Sequence, residues 1–365
     1  MIQRYKTWLT GLFKAQVAGL LDERIGPLHR KLDQLSVADP DRLRHLIDQA
    51  LDARLGPMNQ TLDRLEHEAH EPLRHKVNAA LDDRLTAVHQ KLDALEANSH
   101  GGRATYLGDN RVLVKVVVDG SNLAFIVEAD DKLFSPWLII TGGYDTDLTS
   151  FFVRALRPDS HCIDVGANFG YFTCLMGRRA PQGRVIGIEP DQAVFELARD
   201  NVAINGLNGV AEMVHAAASD TSAELTLHRR LTRSGNTSIV AYGREFTDPL
   251  GEAPSVPFIV RGVPIDSLTG SMGGRVDLMK VDVEGAEPLV FAGARQTIAD
   301  NPQLQVVMEW SPGQIRDAGF DLGHFVADLE GHGLKPFDMQ PDGISPISYA
   351  ELLNMPYQPG VVLKK

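Results

Sequence analysis

The stretch His161–Gly170, HCIDVGANFG, constrains this chain more than any other. It opens on Cys162, Ile163 and Val165, closes in a glycine loop, and runs into Tyr171–Met176, which reads as the first turns of a helix. A strand that turns through glycines into a helix builds a corner where nucleotides are held. Gly166 and Gly170 let backbone approach a ligand with no Cβ in the way, and the helix start offers free N–H groups. The G-x-G-x-x-G spacing of a dinucleotide loop is absent; Asp164, Gly166, Asn168 and Gly170 instead fall on alternate positions. An acid two residues before the first glycine suits a cationic ligand better than a pyrophosphate, and S-adenosylmethionine carries both an ammonium and a sulfonium. About twenty residues on, Arg184–Glu189 (RVIGIE) reads as a second strand ending in an acid. A carboxylate there can accept hydrogen bonds from both ribose hydroxyls.

From residue 161 the pattern alternates strand and helix, as in a parallel sheet covered on both faces. Strands are expected at 161–166, 184–189, 211–216, 276–281, 304–309, 334–339 and 361–364. A helix is expected over Ala193–Asn205, with Asp191 as its N-cap and Gly206 just past its end. Residues 222–264 read as an insertion of short strands and loops, and 340–359 as a long loop. Ahead of this core, 104–160 reads as a lip of the same domain. It has strand-like runs at Val112–Val118, Leu123–Val127 and Trp137–Thr141, an Asp119-Gly120 hairpin signal and a helix over Asp145–Leu156. The domain therefore spans 104–365, with its core at 161–365.

Residues 1–100 are organised differently. Similar segments begin at Leu20, Ala50 and Ala80, a period of 30, and apolar residues within each step by four and three, as in Leu21, Ile25, Leu28, Leu32 and Leu35. This is a helical stripe with heptad-like spacing. Gly26-Pro27 and Gly56-Pro57 interrupt two copies, and Pro40 and Pro72 begin or kink segments between them. The histidines here fall among charges and read as solvated. A narrow apolar stripe on a polar helix must be buried, either against other copies, as a homo-oligomer, or against the chain's own domain. Ala97–Arg103 (ANSHGGR) reads as the linker.

Composition narrows the function classes. With 48 acidic against 36 basic residues, the net charge is −12, which argues against a partner held through phosphates, such as nucleic acid. No run approaches the roughly 18 apolar residues of a membrane span, and the N-terminal MIQRYKTWLTGLFKAQ lacks the uninterrupted apolar region of a signal peptide. A cytoplasmic protein is expected. Cys162 and Cys174 read as buried reduced thiols. His215, ending the third strand, reads as a satisfied core histidine, and Trp310 and Tyr242 as either packing or stacking residues.

Ligands in open α/β sheets bind beyond the carboxyl ends of the strands. Those ends carry Asp164, Glu189, Glu309 and the group Lys280, Asp282, Glu284, which alternate along LMKVDVEGAE and so share a side while the chain is extended. Methyl transfer from a sulfonium to a hydroxyl is an in-line displacement in which positioning dominates, helped by a general base. Asp282 or Glu284 can be that base, with Lys280 fixing the carboxylate; the alternative is that Lys280 and Asp282 only pair to hold the strand end. Asp282, Glu284 and Glu309 have the oxygen chemistry for a divalent ion, but nothing in the pattern demands one and no metal is assigned.

These blocks resemble a known family. DVGANFGYFT (Asp164–Thr173), IEP (Ile188–Pro190), KVDVEGAE (Lys280–Glu287) and NPQLQVVMEW (Asn301–Trp310) are similar to the signature blocks of FkbM-like S-adenosylmethionine-dependent methyltransferases. The resemblance covers about 104–365. It implies an α/β fold with a seven-stranded Rossmann-like methyltransferase sheet whose last strand is antiparallel, here preceded by an N-terminal α-helical repeat arm. It implies O-methylation of a sugar, glycan-precursor or polyketide-type hydroxyl. Asp164, Gly166, Asn168, Gly170 and Glu189 match its cofactor blocks. Ser219 and Asp220 follow the third strand, where such enzymes hold the adenine, and Lys280, Asp282 and Glu284 match its acidic block. Where members carry Tyr-Glu before the core helix, this chain has Tyr144-Asp145. The other readings are a nicotinamide dehydrogenase using the same corner, which the loop spacing counts against, and a scaffold acting through the arm, which the retained acids and glycines count against.

Self-association of the arm is directly measurable. Analytical ultracentrifugation of residues 1–100 is expected to show an oligomer; a monomer at high concentration would remove this reading.

Overall fold

The structure, a computed structural model, describes residues 103–230, 234–241, 243, 253–340 and 343–365. The repeat arm and Tyr242 lie outside the described residues. In chain order come β1 (Ala104–Gly108), β2 (Arg111–Val118), β3 (Ser121–Glu128), α1 (Phe134–Thr141), α2 (Thr146–Ala155), β4 (His161–Val165), α3 (Tyr171–Arg179), β5 (Arg184–Glu189), α4 (Gln192–Ile204) and β6 (Ala211–His215). Then follow β7 (Ala217–Ala218), β8 (Glu224–Arg229), β9 (Val256–Val263), β10 (Leu278–Val281), α5 (Glu287–Ala292), α6 (Arg295–Asp300) and β11 (Gln305–Trp310). The chain closes with α7 (Pro312–Asp317), α8 (Leu322–Gly331), β12 (Lys335–Gln340), β13 (Gly343–Pro346), α9 (Tyr349–Asn354) and β14 (Gln358–Lys364).

The main sheet has the order β13-β12-β14-β11-β10-β4-β5-β6. Neighbours from β11 to β6 are parallel, and β14 runs antiparallel between β11 and β12. The seven expected strands are all present, but the count is eight: β13 pairs antiparallel with β12 at the sheet edge. The stretch expected as a long loop also holds α9, started by a capping box in which Ser348 and Glu351 satisfy each other's backbone N–H groups. The insertion folds as an antiparallel β8–β9 pair, with β7 joined parallel to β9.

The central strands are buried on both faces, so their side chains divide between two cores. Cys162, Val185, Leu278, Val307 and Val362 point into one; Ile163, Ile186, Met279, Val306 and Leu363 point into the other. Both cysteines are free and buried, and burial raises their thiol pKa values. Trp310 is fully buried and stacks on Phe325 with centroids 6.4 Å apart, so it is a packing residue. His215 is not in the core: it is exposed, with Nε2 3.0 Å from the Pro190 carbonyl oxygen and its ring 5.2 Å from that of Phe195.

In β2, Val112, Val114, Val116 and Val118 are buried while alternate residues face outward. Asp119 and Gly120, at φ 47° and 71°, form the two-residue turn into β3. The third strand-like run is instead part of α1. Its apolar, β-branched composition suggests a strand, but the Asp131 carboxylate accepts the N–H groups of Leu133, Phe134 and Ser135, and Gly142 closes the helix at φ 70°. Caps outside the run decide its conformation. Asp191 caps α4 as expected, accepting from Ala193 and Val194.

The outer edge of β3 is closed by Asn201 of α4 and by Asn205 at its C-cap. The Ile126 N–H donates to Asn201 Oδ1 (2.6 Å), and Asn201 Nδ2 donates to the carbonyls of Ile126 (2.9 Å) and Phe169 (2.8 Å). Asn205 repeats the exchange at Ala124, accepting at 2.9 Å and donating at 2.7 Å. Helix residues four apart are separated by about 6 Å and strand residues two apart by about 6.6 Å, so the two ladders match. Asn201 is fully buried; Asn201→Ala leaves three backbone groups without their partner and is expected to lower unfolding stability by about 3 kcal/mol in urea titration. A change of a few tenths would show that the amide is not a structural tie.

Candidate active site

The carboxyl ends of β4, β5, β10 and β11 converge on a cavity of about 440 Å³. Its lining includes Gly166–Phe169, Glu189, Ala216–Ala218, Lys280, Asp282, Glu284 and Glu309. From the lip, Phe134 and Trp137 of α1 and Tyr144 and Asp145 before α2 complete the wall.

Gly166 sits at φ 74°, and a Cβ there would lie 1.8 Å from the Asp282 carbonyl oxygen. Only glycine lets the ends of β4 and β10 approach this closely. Gly170, at φ 84°, is the N-cap of α3 and lies against Ala198, outside the cavity lining. Between them Asn168 takes a left-handed φ of 49°, and its N–H donates to Glu189 Oε2 at 2.9 Å. Glu189 Oε1 accepts the Asp191 N–H at 2.9 Å, so one carboxylate fixes both loops. Burial lifts the pKa of Glu189 to about 8.

Asp164 does not line the cavity. It is fully buried behind the wall, where Thr173 Oγ1 donates to Oδ2 at 2.6 Å and Lys280 Nζ lies 3.7 Å from Oδ1. Lys280 stands in front of it, also 3.1 Å from Asp282 Oδ2, 3.4 Å from the Gly166 carbonyl and 5.5 Å from the centre of the Phe172 ring. Burial works against the charge of Lys280, but Asp282 and then Asp164 outweigh it and hold its pKa above the ordinary value. Burial raises the pKa of Asp164, with the Lys280 charge opposing. Asp164, expected to face a cationic ligand, thus lies in a buried ion pair with Lys280 and not on the cavity lining.

Lys280, Asp282 and Glu284 reach the same cavity, though not along one extended strand. β10 ends at Val281, and Glu284 adopts a left-handed φ of 55°. Asn236 Nδ2 donates to its Oε1 at 3.0 Å, Gln314 Nε2 donates to its Oε2, and Ser238 Oγ donates to its carbonyl at 2.9 Å. Glu309 accepts the Tyr357 hydroxyl at 2.9 Å. Burial, then the neighbouring Asp282 charge, raises the pKa of both Glu284 and Glu309. Ser219 and Asp220 are not brought to this cavity. Ser219 is buried, its N–H bonded to the Val263 carbonyl at 3.0 Å, and Asp220 is exposed; Ala216–Ala218 form the wall instead.

Sequence reasoning missed Phe134, Trp137, Asn236 and Tyr357, which come from the lip, the insertion and the segment before β14. Backbone strain points to the same place. Among the described residues, non-glycine positive φ angles occur at Asp109, Asn110 and Asp119 next to hairpin turns, and at Asp145, Asn168 and Glu284 on the cavity. Strain held outside turns clusters at functional sites.

The buried carboxyls set a pH dependence. Folding raises their pKa values, so they bind protons more tightly folded than unfolded. Their stabilising contribution is complete below the ordinary value and is lost as pH rises through the folded one. Stability is therefore expected to fall between pH 4.5 and about 8. Glu287, fully buried and lifted by burial to about 7, contributes to that slope. Glu287→Gln is expected to flatten the calorimetric melting profile; an unchanged slope would contradict the assignment.

Residues 164–334 match the family described as the methyltransferase FkbM domain. The chain is 28% identical over 199 residues to methyltransferase sdnD of Sordaria araneosa, covering 47% of this chain and 77% of that protein. It is 30% identical over 154 residues to methyltransferase 1 of Beauveria bassiana, covering 39% of this chain and 61% of that protein. Among solved structures, an O-methyltransferase from Bacillus cereus in complex with SAH is similar at 12% identity and a TM-score of 0.35, covering 60% of this chain and 81% of that one. That likeness is too distant to argue from. The matched segment takes in the glycine loop, Glu189, and Lys280 through Glu287. Residues 164–334 thus match an FkbM methyltransferase domain, and both of these relatives of the chain are methyltransferases.

Proposed function

We propose that this chain is an O-methyltransferase that uses S-adenosylmethionine and acts on a hydroxyl of a sugar, glycan precursor or similar small molecule. One observation carries the reading: the glycine loop with Glu189 and the acids Asp282, Glu284 and Glu309 line a single cavity. The residues fit the cofactor. Each Glu189 oxygen accepts one backbone N–H and keeps a second lone pair for a ribose hydroxyl. Ala216–Ala218, Leu225 and Leu227 provide an apolar wall for a base. When bound, S-adenosylmethionine supplies an electrophilic methyl group on its sulfonium.

The remaining chemistry belongs to this chain's side chains. Lys280 fixes Asp282 through one carboxylate oxygen and is itself held by Asp164. Asp282 is the general base in this reading, and Glu284, anchored by Asn236 and Gln314, orients the acceptor. Phe134 and Trp137 cover the cavity from the lip and exclude water from the transfer. Among the described residues the cavity lining holds one lysine, Lys280, already paired with two carboxylates, which favours a neutral hydroxyl acceptor over an anionic one. The repeat arm joins copies of the chain in the same proposal.

Isothermal titration with S-adenosylmethionine and S-adenosylhomocysteine tests the reading. Micromolar binding is expected, weakened roughly tenfold or more by Glu189→Ala through loss of the two hydrogen bonds to the ribose. No binding by folded protein would overturn it. Where binding holds, transfer of labelled methyl to sugar acceptors is expected to be lost in Asp282→Asn with cofactor affinity retained.

A further inference from the structure

We propose that Asp282, Glu284 and Glu309 form a binding site for a hard divalent cation at the acceptor end of the cavity. One carboxylate oxygen from each lies within 4.8 Å of the other two. A cation with oxygens at about 2.4 Å spans about 4.8 Å between opposite ligands, so a single ion reaches all three. The hydrogen bonds leave the needed lone pairs. Lys280 engages Asp282 Oδ2, and no protein hydrogen bond to Oδ1 occurs among the described residues. Tyr357 engages Glu309 Oε1, while Oε2 is buried with no hydrogen-bond partner. Each oxygen of Glu284 receives one amide donor, from Asn236 or Gln314, and retains a second lone pair.

A second observation, outside the three carboxylates, points to missing positive charge. Asn236 Oδ1 and Gln314 Oε1, on the amides that clamp Glu284, are buried and unpartnered. Three residues on from Glu284, Glu287 is 0% exposed and its Oε2 has no hydrogen-bond partner. Buried polar atoms are nearly always satisfied, and here the unsatisfied ones around Glu284 are oxygens. Lys280 does not relieve them, because it is spent on Asp164, Asp282 and the Gly166 carbonyl. The donor set is all oxygen, which selects Mg²⁺, Mn²⁺ or Ca²⁺ over the softer metals that prefer nitrogen and sulfur. An ion there can hold an acceptor hydroxyl and make its proton more acidic. That use rests on the methyl-transfer reading; the cation site itself does not.

Full-length protein stripped with chelator and titrated with Mn²⁺ tests the site, read by electron paramagnetic resonance and competed with Mg²⁺ or Ca²⁺. Saturable uptake is expected, weakened roughly tenfold or more in Glu309→Gln and in Asp282→Asn. S-adenosylmethionine titration and circular dichroism on the same samples separate loss of the ion from loss of the fold. Folded wild-type protein that takes up no Mn²⁺ at roughly millimolar concentration, or variants that bind it as wild type does, would overturn the site. Mn²⁺ uptake without cofactor binding would keep the cation site and remove the proposed function.

Discussion

A buried lysine fixes the geometry on which the cavity depends. Lys280 is enclosed by Asp164 on β4, Asp282 beyond β10, and the Gly166 carbonyl. An ammonium taken out of water is costly unless it is paired, and removing one partner of such a group leaves the other charges uncompensated. The pairing therefore ties together the ends of two neighbouring parallel strands. The near-contact between Gly166 and the Asp282 carbonyl follows from the same closeness. The loop that begins at Gly166 and the acids that begin at Asp282 are thus held at a set distance by one charge network.

Around this tie, the cavity concentrates features that a stable core avoids. Acids are buried with their pKa values raised, and Asp145, Asn168 and Glu284 hold left-handed backbone. The double-sided packing of the central strands supports them, because the two cores fix the strands from which these residues hang. Strain and buried charge persist where the surroundings over-determine them.

Much of the domain was legible because its signals are local. Val/Ile-rich runs bounded by glycine and acids mark the central strands, Asp119-Gly120 marks a hairpin, and Asp191 marks a helix start. The misses share a physical reason: they depend on residues outside the segment being read. Trp137–Thr141 is composed like a strand and becomes helix because Asp131 caps the segment that contains it. β13 forms because β12 presents an edge, not because GISP is a strong strand former. Asp164 is at the expected strand end, but no local pattern tells that Lys280, more than a hundred residues later, stands between it and the cavity. Ser219 and Asp220 failed as cavity residues because β7 pairs with β9 after the third core strand and carries the chain away. The acids at the strand ends were legible, since the carboxyl edge of a parallel sheet is where ligands collect.

The Asn201 and Asn205 amides do for β3 what a neighbouring strand would otherwise do. An open strand edge is a template for another chain, and proteins blunt it with charge, proline, bulges or cover. Here the cover is a pair of side chains spaced to imitate a ladder, occupying the outward N–H and C=O groups of Ala124 and Ile126. The sheet thus ends without exposing a row of free backbone groups at that point. The cover of this edge consequently resides in side chains 75 and 81 residues downstream, and the contacts that shield it are the ones that dock it.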